Sequence, residues 1–192
     1  MLTDILEGSS AMSRSTEADG KDFGADGIDI QTAMVRHVQT HPDRATRPKC
    51  ILWNGEAVWT SFDIPVVKTG VFRIEFLSDP REPAQGVDVK VEGGAVTLPG
   101  GEVVPKLRTW HEPRYEKTVA YPFKSKAGLL KVWNVYHRVW PDGRITEEKW
   151  TGNAGFIVKN ETEDRWLFRC SNGPSELPDF DQLVFRFTVC EV

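Results

Sequence analysis

Residues 133–150 read WNVYHRVWPDGRITEEKW, and the fold turns on how this run divides. Pro141, Asp142 and Gly143 suit a type I turn followed by one residue at positive φ, the common three-residue hairpin loop. On either side the polarity alternates with a period of two, as in a strand. Pairing Trp140 with Arg144 then sets Val139 against Ile145, Arg138 against Thr146, His137 against Glu147, Tyr136 against Glu148 and Asn134 against Trp150.

That register separates two faces. One carries Trp133, Val135, His137 and Val139 with Ile145, Glu147 and Lys149. It holds the aliphatic side chains and is expected on the core, with His137 and Glu147 as a partly buried pair. The other carries Asn134, Tyr136, Arg138, Trp140, Thr146, Glu148 and Trp150, flat rings mixed with forked donors and acceptors. A sugar asks for that mixture, because its C–H face stacks on an aromatic ring while its hydroxyls need planar polar partners. The same residues also suit plain sheet packing, where cross-strand aromatic and Arg–Glu pairs stabilise by roughly 0.2–1 kcal/mol each. A slip of one residue would exchange the faces.

Outward from the hairpin the period of two persists. VFRIEF alternates Phe72, Ile74 and Phe76 with Arg73 and Glu75, and GVDVKV alternates Val87, Val89 and Val91 with Asp88 and Lys90. Asn54-Gly55 supplies the positive φ angles of a type I′ hairpin turn. In DQLVFRFTV, Leu183, Phe185, Phe187 and Val189 face one way, which predicts a central strand. About ten short strands separated by Gly, Pro, Asn and Asp turns predict an all-β fold, an antiparallel sandwich or jelly roll over residues 49–192. Upstream, Asp29 caps and Pro42 stops a short amphipathic helix with Ile30, Met34 and Val38 on one stripe, so residues 28–48 read as helix and linker. Residues 1–27 are small and polar and read as a flexible tail.

With 192 residues and 40% hydrophobic content, the chain suits one domain with a real core. A net charge of −4 argues against a general electrostatic grip on nucleic acid. No apolar run has the length of a leader or a membrane span, and Cys50, Cys170 and Cys190 are odd in number and widely spaced, as expected of reduced core thiols in a cytoplasmic protein. His37 and His41 sit four apart on the helix without a Cys or acidic companion, so no metal site is expected, and no motif calls for a cofactor.

A second crowded stretch, LRTWHEPRYEK at residues 107–117, reads as an ordered loop. A histidine beside a carboxylate is tuned near neutral pH, so His111 with Glu112 or Glu116, or His137 with Glu147, forms a candidate acid/base pair for a hydrolase or isomerase. The leading expectation is a non-enzymatic, lectin-like module that binds carbohydrate through Asn134, Tyr136, Arg138, Trp140, Glu148 and Trp150. The alternative is a protein-interaction or oligomer-forming domain that uses the same aromatics and the helix, which leaves homo-oligomerisation open.

Overall fold

The computed structural model describes residues 21–191. Asp29 caps α1 (Ile30–Thr40) by accepting a 2.7 Å hydrogen bond from the Thr32 amide. The chain then alternates through β1 (Cys50–Trp53), β2 (Glu56–Trp59), β3 (Phe62–Pro65), β4 (Thr69–Phe76), β5 (Gln85–Val91), β6 (Gly94–Thr97) and β7 (Val103–Val104). It continues through β8 (Lys106–His111), β9 (Thr118–Ser125), β10 (Leu129–Val139), β11 (Ile145–Glu148), β12 (Gly155–Thr162), β13 (Arg165–Ser171) and β14 (Leu183–Glu191).

The strands form two antiparallel sheets, in the arrangement of a sandwich. The larger runs β1-β2-β12-β13-β14-β4-β9-β6-β7, and the smaller runs β11-β10-β5-β8, with β3 also paired to β10. Period-two burial explains the layers. Phe72, Ile74 and Phe76 of β4, Leu183, Phe185 and Phe187 of β14 and Phe168 of β13 meet Val87, Val89 and Val91 of β5 and Leu130 and Val132 of β10 in one core. Each fully buried Phe, Leu or Val contributes about 1.5–3 kcal/mol. The core is stiffened by stacked rings, Phe168 lying 4.6 Å from Phe185 and Phe72 5.5 Å from Phe187.

A smaller apolar cluster lies on the opposite face of the large sheet. There Ile30 and Ala33 of α1 pack with Phe23 on Ile51, Trp53 and Val58. The helix is therefore rotated from the expected stripe, with Ile30, Ala33 and His37 buried and Val38 exposed. Ala33 and His37 read as neutral in a pattern search, yet small size and a satisfied ring nitrogen fit them to the sheet, His37 Nε2 donating to the Pro48 carbonyl at 2.9 Å.

The expected tail divides at residue 21. Residues 1–20 lie outside the described residues, whereas Asp22 bridges to Leu52 and Phe23 is buried. The Asp22 carboxylate accepts from the amides of Gly24, Asn54 and Gly55, which hold it below the usual carboxylate range, the Gly24 bond foremost. Asn54 and Gly55 have φ of 49° and 81°, the expected turn. Of the cysteines, Cys50 and Cys170 are buried, but Cys190 is exposed near the end of β14, so the expectation of three core thiols is corrected there.

Candidate functional site

The β10–β11 hairpin has the register read from the sequence, Tyr136 opposite Glu148, His137 opposite Glu147, Arg138 opposite Thr146 and Val139 opposite Ile145. Its faces are exchanged. Asn134 and Tyr136 point between the sheets at 1% and 0% exposure, while Trp133, Val135 and His137 lie on the outward face of the small sheet. The reason is the rest of the sheet: Leu130 and Val132, on the same side of β10 as Asn134, pair with Val91 and Val89 and fix the strand's orientation. Asn134 Nδ2 donates to the Ser171 carbonyl at 2.9 Å. Tyr136 is hydrogen-bonded to Thr151, and burial pushes its phenol pKa up.

The remaining residues of the expected sugar face hold one another. Trp140 Nε1 donates to Thr146 Oγ1 at 2.9 Å, and Glu148 accepts from Thr146 at 3.1 Å and Thr151 at 2.9 Å while facing Arg138 at 3.5 Å. The guanidinium carbons of Arg138 and Arg144 lie 4.1 and 5.1 Å from the Trp140 ring centre, so cations occupy that ring's π surface. Trp150 does not pair with Asn134. Its φ of 61° ends the ladder after Glu148 and sets its ring 5.8 Å from Trp133, on the outward side.

The second crowded stretch is divided by the fold. Lys106–His111 is strand β8, the edge of the small sheet, and not a loop. Leu107, Thr109 and His111 pair in row with Val89, Val87 and Gln85 and so face inward, while Arg108 and Trp110 face outward. His111 is buried against Phe76, ring centres 4.4 Å apart, and its Nε2 donates to the Ser78 carbonyl at 2.8 Å. Desolvation lowers its pKa, against the opposing effect of the Ser78 hydrogen bond. Glu112 pairs with Arg114 at 2.7 Å, and Glu147 pairs with Arg108. Neither histidine is thus bonded to the carboxylate expected beside it.

Along the free edge of β8 runs a cleft of about 340 Å³ lined by Arg108, Thr109, Trp110, Tyr115, Val119 and Tyr121, with Glu116 at its mouth. Gly86 shapes its floor: a Cβ there would meet the Thr109 carbonyl at 2.4 Å and the Trp110 ring at 3.0 Å. The missing side chain lets Trp110 lie down over the sheet, 4.2 Å from His137. Tyr121 is braced by Phe72, ring centres 5.9 Å apart, and half-exposed Tyr115 rises from the loop after β8. Under this floor Asp88, fully buried, accepts from Arg108 Nε at 2.6 Å and Nη2 at 2.8 Å, with Lys106 3.3 Å away. The Asp88 hydrogen bond, foremost, raises the Arg108 pKa further.

Thr109 and Trp110 read in the sequence as part of a loop, and Tyr121 carried no functional signal. Their convergence depends on two sheet edges meeting, which no local pattern encodes. Among the described residues no group of three or more His, Cys, Asp or Glu side chains is placed to hold a metal, and no helix is long and apolar enough to cross a membrane. Other concavities lie elsewhere on the described residues. One of about 690 Å³ lies beside Trp166 and Val67, and one of about 510 Å³ lies between Met34, Val35 and Val38 of α1 and Trp150. In comparisons with known proteins, the chain matches no protein-family model, no curated protein and no solved structure.

Proposed function

We propose that this β-sandwich is a non-enzymatic, lectin-like module that binds carbohydrate in the cleft beside β8. The observation that carries the reading is the convergence of Trp110, Tyr115 and Tyr121 with Thr109 and Glu116 in one concavity. Aromatic surface braced by the fold, with a few polar groups, is what a small-ligand site requires. The hairpin contributes indirectly: Glu147 holds Arg108 at the back of the cleft.

The test is a broad glycan array with three proteins. Wild type and Trp140→Ala should bind the same glycans, because Trp140 lies outside the cleft, whereas Trp110→Ala should bind none. Retention by Trp110→Ala with loss in Trp140→Ala would return the site to the hairpin.

An interaction role draws on a separate observation, the groove between α1 and Trp150. Val35, Val38 and Trp150 are 49%, 43% and 43% exposed. Self-association through this face predicts a mass that rises with concentration in sedimentation equilibrium and stays monomeric in Val38→Glu. A monomer at every concentration removes this reading.

A further inference from the structure

We infer that the cleft beside β8 selects neutral sugars and rejects uronate and sulfated ones, an inference that rests on the carbohydrate reading above. The cations near the cleft are already committed. Arg108 spends Nε and Nη2 on the two oxygens of Asp88 and one Nη1 donor on Glu147, three of its five N–H groups. Lys106 faces the same Asp88 carboxylate at 3.3 Å, Arg114 is bound to Glu112 at 2.7 Å, and Lys117 faces Asp79 at 3.5 Å. A bidentate guanidinium clamp is the usual means of holding a carboxylate or sulfate. Here the Nε–Nη2 edge of Arg108 is already clamped on Asp88, a buried carboxylate.

What is left for a ligand is accepting capacity. Glu116 forms no ion pair among the described residues, and its carboxylate stands at the cleft mouth. The phenols of Tyr115 and Tyr121 add groups that both donate and accept. A neutral pyranoside supplies hydroxyl donors to Glu116 and a C–H face to Trp110. An acidic sugar brings its charge against Glu116, and the one cation that lines the cleft, Arg108, is already paired with Asp88 and Glu147. The volume, near the lower end of the roughly 300–1,000 Å³ usual for ligand sites, suits a short oligosaccharide.

The test is affinity electrophoresis of the full chain through gels containing neutral polysaccharides (a xylan, a β-glucan, a mannan) or anionic ones (polygalacturonate, heparin), each at low and high salt. The expected result is retardation by at least one neutral glycan, unchanged by salt, and none by the anionic ones. Affinity should fall about tenfold or more in Trp110→Ala, the ratio that corresponds to ~1.4 kcal/mol. Because Trp110 also covers part of the sheet, Tyr115→Ala, at an exposed loop position, serves as the second variant and should weaken the same retardation. Glu116→Gln should weaken it as well. Salt-sensitive retardation by polygalacturonate or heparin alone would overturn the selectivity while keeping the carbohydrate reading. A folded protein retarded by no glycan would overturn both.

Discussion

Asp88 and Arg108 show how much a single buried charge constrains its surroundings. The Asp88 side chain is fully buried and Arg108 is 22% exposed, so removing the guanidinium strands a carboxylate away from water. Arg108→Met should cost about 3–5 kcal/mol in urea unfolding, and the double variant Asp88→Leu/Arg108→Met should recover most of that. His111 gives a pH signature. Its folded pKa is lowered by burial, so below the ordinary histidine value of about 6.5 the unfolded chain takes up a proton that the folded one refuses. Stability therefore falls as pH drops through that value and stops falling once the lower, folded pKa is passed. In His111→Gln this component of the pH dependence should vanish from thermal melts across pH 5 to 8, a range of about three units around the ordinary value. Asn153 is the third such residue. It accepts from the Ile30 amide at 3.2 Å and donates to the Ser175 carbonyl at 2.8 Å, joining the start of α1 to the loop before β14. Asn153→Ala should cost about 1–3 kcal/mol through the groups left unpaired. None of these three roles was legible in sequence, because each depends on a partner at least 20 positions away. Asp88 read as an outward strand residue, and nothing local says that Arg108 folds over it.

At the scale of elements the sequence was more informative, and its errors have a common cause. The turns at Asn54-Gly55 and Pro141-Asp142-Gly143, the alternation in β4, β5 and β14 and the cap at Asp29 were all legible, since each is written in neighbouring residues. Which side of a strand faces inward is not. In β10 both sides carry large apolar residues, Trp133 and Val135 on one and Leu130, Val132 and Tyr136 on the other, and all are buried. Only pairing with β5 decides between them. The short strands β3 and β7, four and two residues long, lack the length for a pattern, so the count expected from sequence fell below the observed one. β14 is the element most open to test. It lies between β13 and β4 and buries Leu183, Phe185 and Phe187 completely. Removing residues 183–192 should abolish cooperative melting followed by circular dichroism. A soluble truncation with a sharp transition would show that the large sheet holds without its middle strand.

For the whole molecule, the pairing of distant segments is the governing property. Glu75 and Arg186 lie opposite each other in β4 and β14, 111 positions apart, and their 2.7 Å ion pair closes the large sheet. Loop-closure entropy must be met before such contacts form, so refolding followed by Trp fluorescence should take milliseconds to seconds or longer, as for other sheet-dominated folds. A microsecond phase carrying the full amplitude would contradict this. The same pairing has a meaning for biosynthesis. Because β14 follows both β4 and β13 in the chain, their facing edges have no partner until β14 has left the ribosome. In the interval between the completion of β13 and that of β14, the two halves of the large sheet present open, aromatic-rich edges, and unpaired edges of that kind recruit other chains. Its yield in a cell would then depend on how soon β14 is delivered and on what shields those edges meanwhile, as well as on the stability of the folded sandwich.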